Sequence, residues 1–551
     1  MYKFILILAI ITLAQCKSNK AVTTLPTGES TSTAVINDTT IIEKTYLYRG
    51  DSLTTYITMV GDTILSKRTS KLRNGGETDM VTARRSMKKT SSMPEMEDAV
   101  FKSAESGATA MPSPRGRIKP GIPQNPDSGQ LTAGEWNDLN NWDDWNNLLN
   151  NNDYFSMQDA WGIYPTERYS VFVTNDDNIP LADLRVELRD GNTVVWKAKT
   201  DHSGRTELWS GLTIKGRRAK EKLTARIYHK GQAHNIEVKK GGSSHLSIPN
   251  SCNTVSAVDI MFVVDATGSM GDEINYLKSE VKDVIKRATK SQNELEIRVG
   301  SVFYRDSNDA YLTKVSPLNS DLDKVYDFIG KQGASGGGDY PEAVEAALEE
   351  ALAQKWSKNA VTRIIFLLLD APPHDEDQVK STIKDQIMEA AEIGIKIIPI
   401  SASGINRETE FLLKFMSIVT NGTYVFITDD SGIGRAHLDP VVSDFEVEKL
   451  NDLMTRLITH YTTINSCEEK IMINKDVKIY PNPTSNYIRI ESGLNLKEIR
   501  IISSTGKVMF KTTAVSEIER IDLSQYVDGM YTVQCIGEDF SYNYPVIKVS
   551  Q

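Results

Sequence analysis

The stretch Val258-Asp259-Ile260-Met261-Phe262-Val263-Val264-Asp265-Ala266-Thr267-Gly268-Ser269-Met270 decides the fold. Its first seven residues are almost all apolar, the pattern of a strand buried on both faces of a parallel sheet. The run breaks at Asp265 and a string of small residues, and an amphipathic helix follows from about Glu273 to Thr289. The alternation continues downstream. Arg298 to Tyr304, Thr362 to Leu369 and Ile395 to Ile400 read as strands, and Leu322 to Gly330, Pro341 to Trp356, Asp377 to Ile393 and Glu408 to Thr420 read as helices. This order predicts an α/β fold, an open, doubly wound, mainly parallel sheet with helices on both faces. Such sheets bind ligands beyond the carboxyl ends of their strands, where Asp265 and Asp370 both fall.

Three motifs then stand in order: Asp265-Ala266-Thr267-Gly268-Ser269, Ser335-Gly336-Gly337-Gly338-Asp339-Tyr340-Pro341-Glu342, and Phe366-Leu367-Leu368-Leu369-Asp370-Ala371-Pro372-Pro373-His374. On these residues the chain resembles the von Willebrand factor type A domain from about Ser256 to Ile464. The first motif is similar to that family's Asp-x-Ser-x-Ser, with the Thr267 hydroxyl in place of the first serine. The resemblance implies a metal-ion-dependent adhesion site with Asp265, Thr267, Ser269, Asp339 and Asp370 as its residues. Mg²⁺ is the expected ion, with Ca²⁺ or Mn²⁺ as alternatives. A small hard cation takes near-octahedral oxygens at about 2.1 Å and keeps some of its water, which hydroxyls, carboxylates and one open position supply. Thr267 and Ser269 would coordinate directly, and Asp265 and Asp370 directly or through water. The open position implies capture of a carboxylate from a partner protein, hence adhesion and not turnover.

Asp339 stands where the family commonly has Thr. A third carboxylate takes the formal charge of the site from zero to roughly −1, which holds the ion more tightly and attracts an acidic ligand less. Ser335 is the alternative loop ligand, with Asp339 capping the helix start instead. Asp306, in Tyr304-Arg305-Asp306, is a candidate support behind the site. His374 reads as a hydrogen-bonded loop residue. A hydrolase using His374 with Asp370 and a metal-independent component of an envelope assembly are the competing classes. The seven histidines form no His-Glu-x-x-His or Cys/His set, and no Gly-x-Ser-x-Gly elbow or phosphate loop is present, so the expected class is not an enzyme.

The flanks place this domain outside the cytoplasm. Met1 to Cys16 has a charged start, a short apolar run and a processing site, and Leu13-Ala14-Gln15-Cys16 resembles a bacterial lipobox. Cys16 is then either a lipidation site or lies next to ordinary signal-peptidase cleavage. Residues 17–130 read as a Ser/Thr-rich tether to about Asn37, a small β-meander around Thr45–Tyr48, Thr55–Val60 and Thr63–Leu65, and a disordered linker from about Leu72. Arg49-Gly50-Asp51 reads as a turn. Residues 131–165 carry Trp136, Trp142, Trp145, Tyr154 and Trp161 and read as a helical aromatic cap. Residues 166–250 hold short alternating strands of a β-sandwich, which resembles transthyretin-like modules. The type A domain is expected over 254–466.

Residues 475–551 are again strand-rich, and Tyr480-Pro481-Asn482-Pro483-Thr484 resembles the C-terminal sorting domain of type IX secretion substrates in Bacteroidetes. That resemblance implies a cell-surface, outer-membrane or secreted protein. An oxidising compartment permits a disulfide, and Cys252 and Cys467 bracket the α/β segment, so a Cys252–Cys467 bridge is expected, the alternative being free thiols. Over 551 residues the net charge is −10, which argues against nucleic acid as a partner. Beyond the N-terminus no apolar run approaches the roughly 20 residues of a spanning helix. The expected partner is a protein ligand engaged through an acidic residue.

Overall fold

The computed structural model describes residues 127–549 except 217–221, 291–294, 464–476, 514–517 and 539, together with strands at 29–36, 39–48, 51–60, 63–72 and 78–81. Its largest sheet has eight strands: β1 (Thr132–Trp136), β2 (Ala257–Asp265), β3 (Glu296–Tyr304), β4 (Thr313–Asn319), β5 (Ala360–Leu369), β6 (Ile395–Ser401), β7 (Tyr424–Ile427) and β8 (Val447–Lys449). Their order is β4-β3-β2-β5-β6-β7-β1-β8. The neighbours from β3 through β7 are parallel, while β4 and β1 run antiparallel to the strands beside them. Every residue of β2, β5 and β6 is buried, as central strands covered on both faces require.

Eight helices join these strands among the described residues: α1 (Trp142–Leu149), α2 (Asn152–Trp161), α3 (Ile274–Lys290), α4 (Leu322–Gly330), α5 (Val344–Leu352), α6 (Asp377–Ile393), α7 (Arg407–Val419) and α8 (Leu450–Tyr461). Val258, Ile260, Phe262 and Val264, one face of β2, share a core with Leu277 and Val281 of α3, Ile329 of α4 and Leu453 and Leu457 of α8. The alternate residues of β2 point to the other layer, where α5, α6 and α7 pack on one another and on β2, β3 and β6. Each fully buried Leu, Ile, Val or Phe in these layers contributes about 1.5–3 kcal/mol. The expected doubly wound α/β architecture is what the chain adopts.

The stretch expected as a helical cap does contain α1 and α2, and Trp145 stacks on Phe411 of α7 at 5.9 Å. Its first residues, however, form β1, wedged between β7 and β8. Leu131 and Ala133 enter the main core. A Cβ on Gly134 would overlap the Phe426 ring and come within 2.7 Å of Phe445, so only glycine lets the strand close on those rings. The sheet therefore begins before the β-sandwich, and the sandwich is inserted between β1 and β2.

The sandwich has a three-stranded sheet (Arg205–Trp209, Arg168–Thr174, Ser243–Ser247) and a four-stranded one (Gln232–Val238, Leu223–His229, Arg185–Asp190, Thr193–Lys199). Lys396 of β6, 4% exposed, reaches across to it and bonds Asp201 Oδ2 at 2.8 Å. Residues 477–548 form a second two-sheet β unit, as expected. There Asn482 donates to the Pro545 carbonyl at 2.8 Å and accepts from the Ile547 amide at 2.9 Å, tying the Pro-Asn-Pro turn to the last strand. Cys535 is fully buried in that core.

Cys252 is disulfide-bonded. Cys467 and Cys16 lie outside the described residues, as does most of the linker. In the N-terminal unit the meander is a five-stranded antiparallel sheet. Glu29–Ile36, expected within the tether, is its first strand, and Thr78–Val81, expected within the linker, is its last. Arg49 and Gly50 lie outside the described residues. No helix among the described residues is long and apolar enough to cross a membrane.

Candidate metal centre

Two adjacent parallel strands deliver the two key carboxylates. Val264 pairs with Leu368, so Asp265 at the end of β2 and Asp370 just past β5 emerge side by side. Asp265 and Thr267 are 0% exposed and Asp370 is 3% exposed, whereas Ser269 lies at the surface. Asp265 Oδ1 accepts from the Thr267 amide at 2.9 Å and from its hydroxyl at 2.7 Å. Thr267 Oγ1 is 3.1 Å from Ser269 Oγ, and the Ser269 hydroxyl lies close enough to Asp370 to favour its charged form. Four expected residues thus form one string of oxygens from the core to solvent.

The glycine-rich loop folds onto this string. The Gly268 amide donates to the Gly336 carbonyl at 3.0 Å and the Ser335 amide to the Ala266 carbonyl at 3.1 Å. Gly336 and Gly337 have φ of 82° and 73°, and a side chain on Gly336 would overlap the Asp309 carboxylate that receives the Gly337 amide. Arg305 staples both loops, donating to the carbonyls of Ala266 at 2.9 Å and Gly333 at 2.8 Å. The Glu342 amide bonds the Pro372 carbonyl at 2.9 Å and so brings the third motif into register.

The electrostatics of the centre are those of several acids clustered and buried together. Burial, then the nearby Asp370 charge, push Asp265 up to about 7 against its hydrogen bonds from Thr267. Burial lifts Asp370 to about 6 against the nearby Ser269 hydroxyl, with Glu273 adding repulsion. Glu342 goes up to about 9 through burial and then the charges of Asp265, Asp306, Asp309 and Asp370. Asp265 Oδ2, Asp370 Oδ1 and Glu342 Oε2 are buried without a hydrogen-bond partner. Such orphaned oxygens are costly in a medium of low dielectric. A divalent cation would satisfy them, and an all-oxygen set of carboxylates and hydroxyls suits Mg²⁺ or Ca²⁺. The residues present fit the implied ion.

Of the five expected residues, Asp265, Thr267, Ser269 and Asp370 are brought together. Asp339 lies exposed on its loop, and the buried acid of that loop is Glu342, 2% exposed. Glu342 escapes a reading of the sequence because an acid after proline at a helix start looks like an ordinary first-turn charge. Ser335, the alternative ligand, is also exposed. Asp306 is buried and holds His374, with Oδ1 2.7 Å from Nε2. Burial opposes the charged His374 ring, but the bond to Asp306 and its charge outweigh that and raise the His374 pKa.

This placement of motifs on strand ends agrees with the comparison to known families, in which residues 259–432 match the von Willebrand factor A domain. The chain carries a von Willebrand factor A domain. Residues 478–548 match the secretion system C-terminal sorting domain, which makes the chain a type IX secretion substrate placed at the cell surface or outer membrane. The A domain supports a role in protein interaction or adhesion. Among curated relatives, the alpha-protein kinase vwkA of Dictyostelium discoideum is 23% identical over 222 residues, 40% of this chain and 34% of that protein. The von Willebrand factor A domain-containing protein 7 of Mus musculus is 32% identical over 119 residues, 22% of this chain and 12% of that protein. The chain thus spans only 12% to 34% of the length of these relatives. A solved structure, von Willebrand factor type A from Catenulispora acidiphila, aligns at 10% identity and a TM-score of 0.29, covering 70% of this chain and 74% of that one.

Proposed function

We propose that this is a surface adhesion or protein-binding protein whose A domain holds a divalent cation at Asp265, Thr267, Ser269 and Asp370. The observation that carries this reading is the string of oxygens just described, with buried unpartnered carboxylate oxygens at one end and the exposed Ser269 hydroxyl at the other. When bound, the ion offers a Lewis-acidic position to an acidic side chain of a partner. The protein's own residues do the rest: Thr267 and Asp265 orient each other, Ser269 faces the approach, and Arg305 and the glycines hold the two loops together. The reading is one of binding, in which His374 stays hydrogen-bonded to Asp306 beside the site.

Calorimetric titration of Mg²⁺, Mn²⁺ and Ca²⁺ into the chelator-treated full chain, beside Asp265→Ala, tests the site. The expected result is binding by the native chain that is lost in the variant. Heat changes identical in the two proteins, or none in either, would overturn it. Capture of surface proteins with and without chelator then tests the bridging role.

A further inference from the structure

The chain leaves β1 at Trp136 and soon afterwards buries Asp138 against α7. Asp138 is 2% exposed and Lys414 of α7 is 1% exposed, and the Lys414 ammonium lies 3.2 Å from Asp138 Oδ1. The Trp136 indole donates to the same oxygen at 3.0 Å, while Oδ2 is buried without a hydrogen-bond partner. Glu410, also buried, stands one turn before Lys414, so the two share a face of the helix. Its Oε2 accepts from Arg407 at 2.6 Å. Aromatic rings keep water away: Lys414 sits over Trp145 at 5.7 Å, and Trp145 and Tyr154 each pack on Phe411 at 5.9 Å. Burial, with Glu410 adding repulsion, lifts Asp138 to about 6 against the charge of Lys414 and the bonds from Lys414 and Trp136.

A buried ion pair is a weak source of stability, because both charges have lost their water. Here the fold also holds an amine against a carboxyl group, with a second acid beside them. We propose that Lys414 and Asp138 join in an intramolecular amide made by the folded chain itself, with Glu410 as proton carrier. A proton passes from the Lys414 ammonium to the carboxylate, leaving a free amine and an acid, the forms that a dry setting favours. Nζ attacks Cγ, and the N–C bond forms while Oδ1 takes up negative charge under the Trp136 N–H. Glu410 takes one proton from Nζ and hands it to the Oδ2 hydroxyl. The Cγ–Oδ2 bond breaks, one water leaves, and Glu410 is again a carboxylate, so no co-reactant is consumed. Contact within the fold supplies an effective concentration of about 10⁵ M or more, which free amines and acids in water lack. The product carries no charge on either side chain and no orphaned Oδ2. It closes residues 138 to 414 into a covalent ring that contains the sandwich and the strands ending at Asp265 and Asp370. The buried Lys396–Asp201 pair differs, because both Asp201 oxygens are bonded, Oδ1 by the Ser203 and Arg205 amides and Oδ2 by Lys396 and Asn421.

The test is mass spectrometry of the full chain, denatured, reduced and digested, beside Lys414→Arg and Glu410→Gln, with circular dichroism to check that each variant folds. In the native chain the peptides containing Asp138 and Lys414 should appear as one branched species, lighter than their sum by one water. Fragment ions should place the bond between these two side chains. In Lys414→Arg the two peptides should separate at their full masses. In freshly purified Glu410→Gln the linked fraction should be lower by about tenfold or more. Unlinked native peptides at full mass would refute the amide, whether or not the variants fold. A linkage that survives in Lys414→Arg would refute its assignment to Lys414. A folded Glu410→Gln with the native yield of linked peptide would refute the role of Glu410.

Discussion

Replacing His202 with Phe should make the junction between sandwich and A domain resistant to mild acid. His202 is 5% exposed, and both of its ring nitrogens lack hydrogen-bond partners. Its ring meets the rings of His460 at 5.1 Å and Tyr461 at 5.5 Å, both on α8. The groups facing it are Asp201, 3.9 Å from Nδ1, the Lys396 ammonium and His460. Burial, only partly offset by Asp201 and reinforced by Lys396, lowers the His202 pKa from 6.5 to about 4. The folded value lies below the unfolded one, so between the two the unfolded chain takes up a proton that the folded chain refuses. Stability from this group is complete above the unfolded value and falls as pH drops toward the folded one. Linkage gives a loss of about 2 kcal/mol between about pH 7.5 and about pH 5. Phe keeps the aromatic contacts, breaks no hydrogen bond and cannot be protonated. Urea unfolding of both proteins in chelator at the two pH values, followed by tryptophan fluorescence and circular dichroism, reads the difference. The variant should match the native chain at the higher pH and exceed it by about 2 kcal/mol at the lower. Equal losses of stability on acidification in the two proteins would refute the reasoning.

Three further outcomes follow from the packing. Gly134→Val forces a side chain into Phe426 and Phe445, and should destabilise the A domain by about 1–3 kcal/mol in urea unfolding, as overpacked cores do. Asn482→Ala removes both bonds between the Pro-Asn-Pro turn and the last strand. It should cost about 1–3 kcal/mol and speed proteolysis of residues 477–548, with a drop in export if the fold of that unit is what the secretion machinery reads. Peptide mapping without reductant should find Cys252 joined to Cys467, and Cys535 should react with thiol reagents only after unfolding, since burial pushes its thiol up to about 12.

Much of the α/β domain could be read along the chain because its central strands are buried on both faces, so apolar runs such as Val258–Val264 and Phe366–Leu369 stand out locally. The Asp265 and Asp370 positions followed from where those runs stop, and Thr267 and Ser269 from the resemblance of the first motif. β1 was not legible as part of that sheet. It is five residues long, and its partners Tyr424–Ile427 and Val447–Lys449 lie about three hundred residues away, so no local period announces it. Gln232–Val238 is hard to read locally for a different reason, as its polar residues are those of a largely exposed edge strand. That Glu342 and not Asp339 is the buried acid of the glycine-rich loop was not legible, because burial depends on how the loop folds against Thr267, which spacing does not encode.

The position of β1 also sets how the molecule bears tension. A pull between the segment before Leu131 and the tail after α8 enters at β1, which is paired directly to β8, and β8 runs straight into α8. Arg456 of α8 clamps this path, bonding Glu135 of β1 at 2.8 Å, Glu448 of β8 at 2.6 Å and the Thr505 carbonyl of the sorting domain at 2.6 Å. The sandwich hangs from the loop between β1 and β2, outside the line of force. A load on the surface-attached protein would be borne as shear along the short β1–β8 ladder, and only after β1 tears out, in a chain without the Asp138–Lys414 amide, would the sandwich and the strands that end at Asp265 and Asp370 be drawn into the pull.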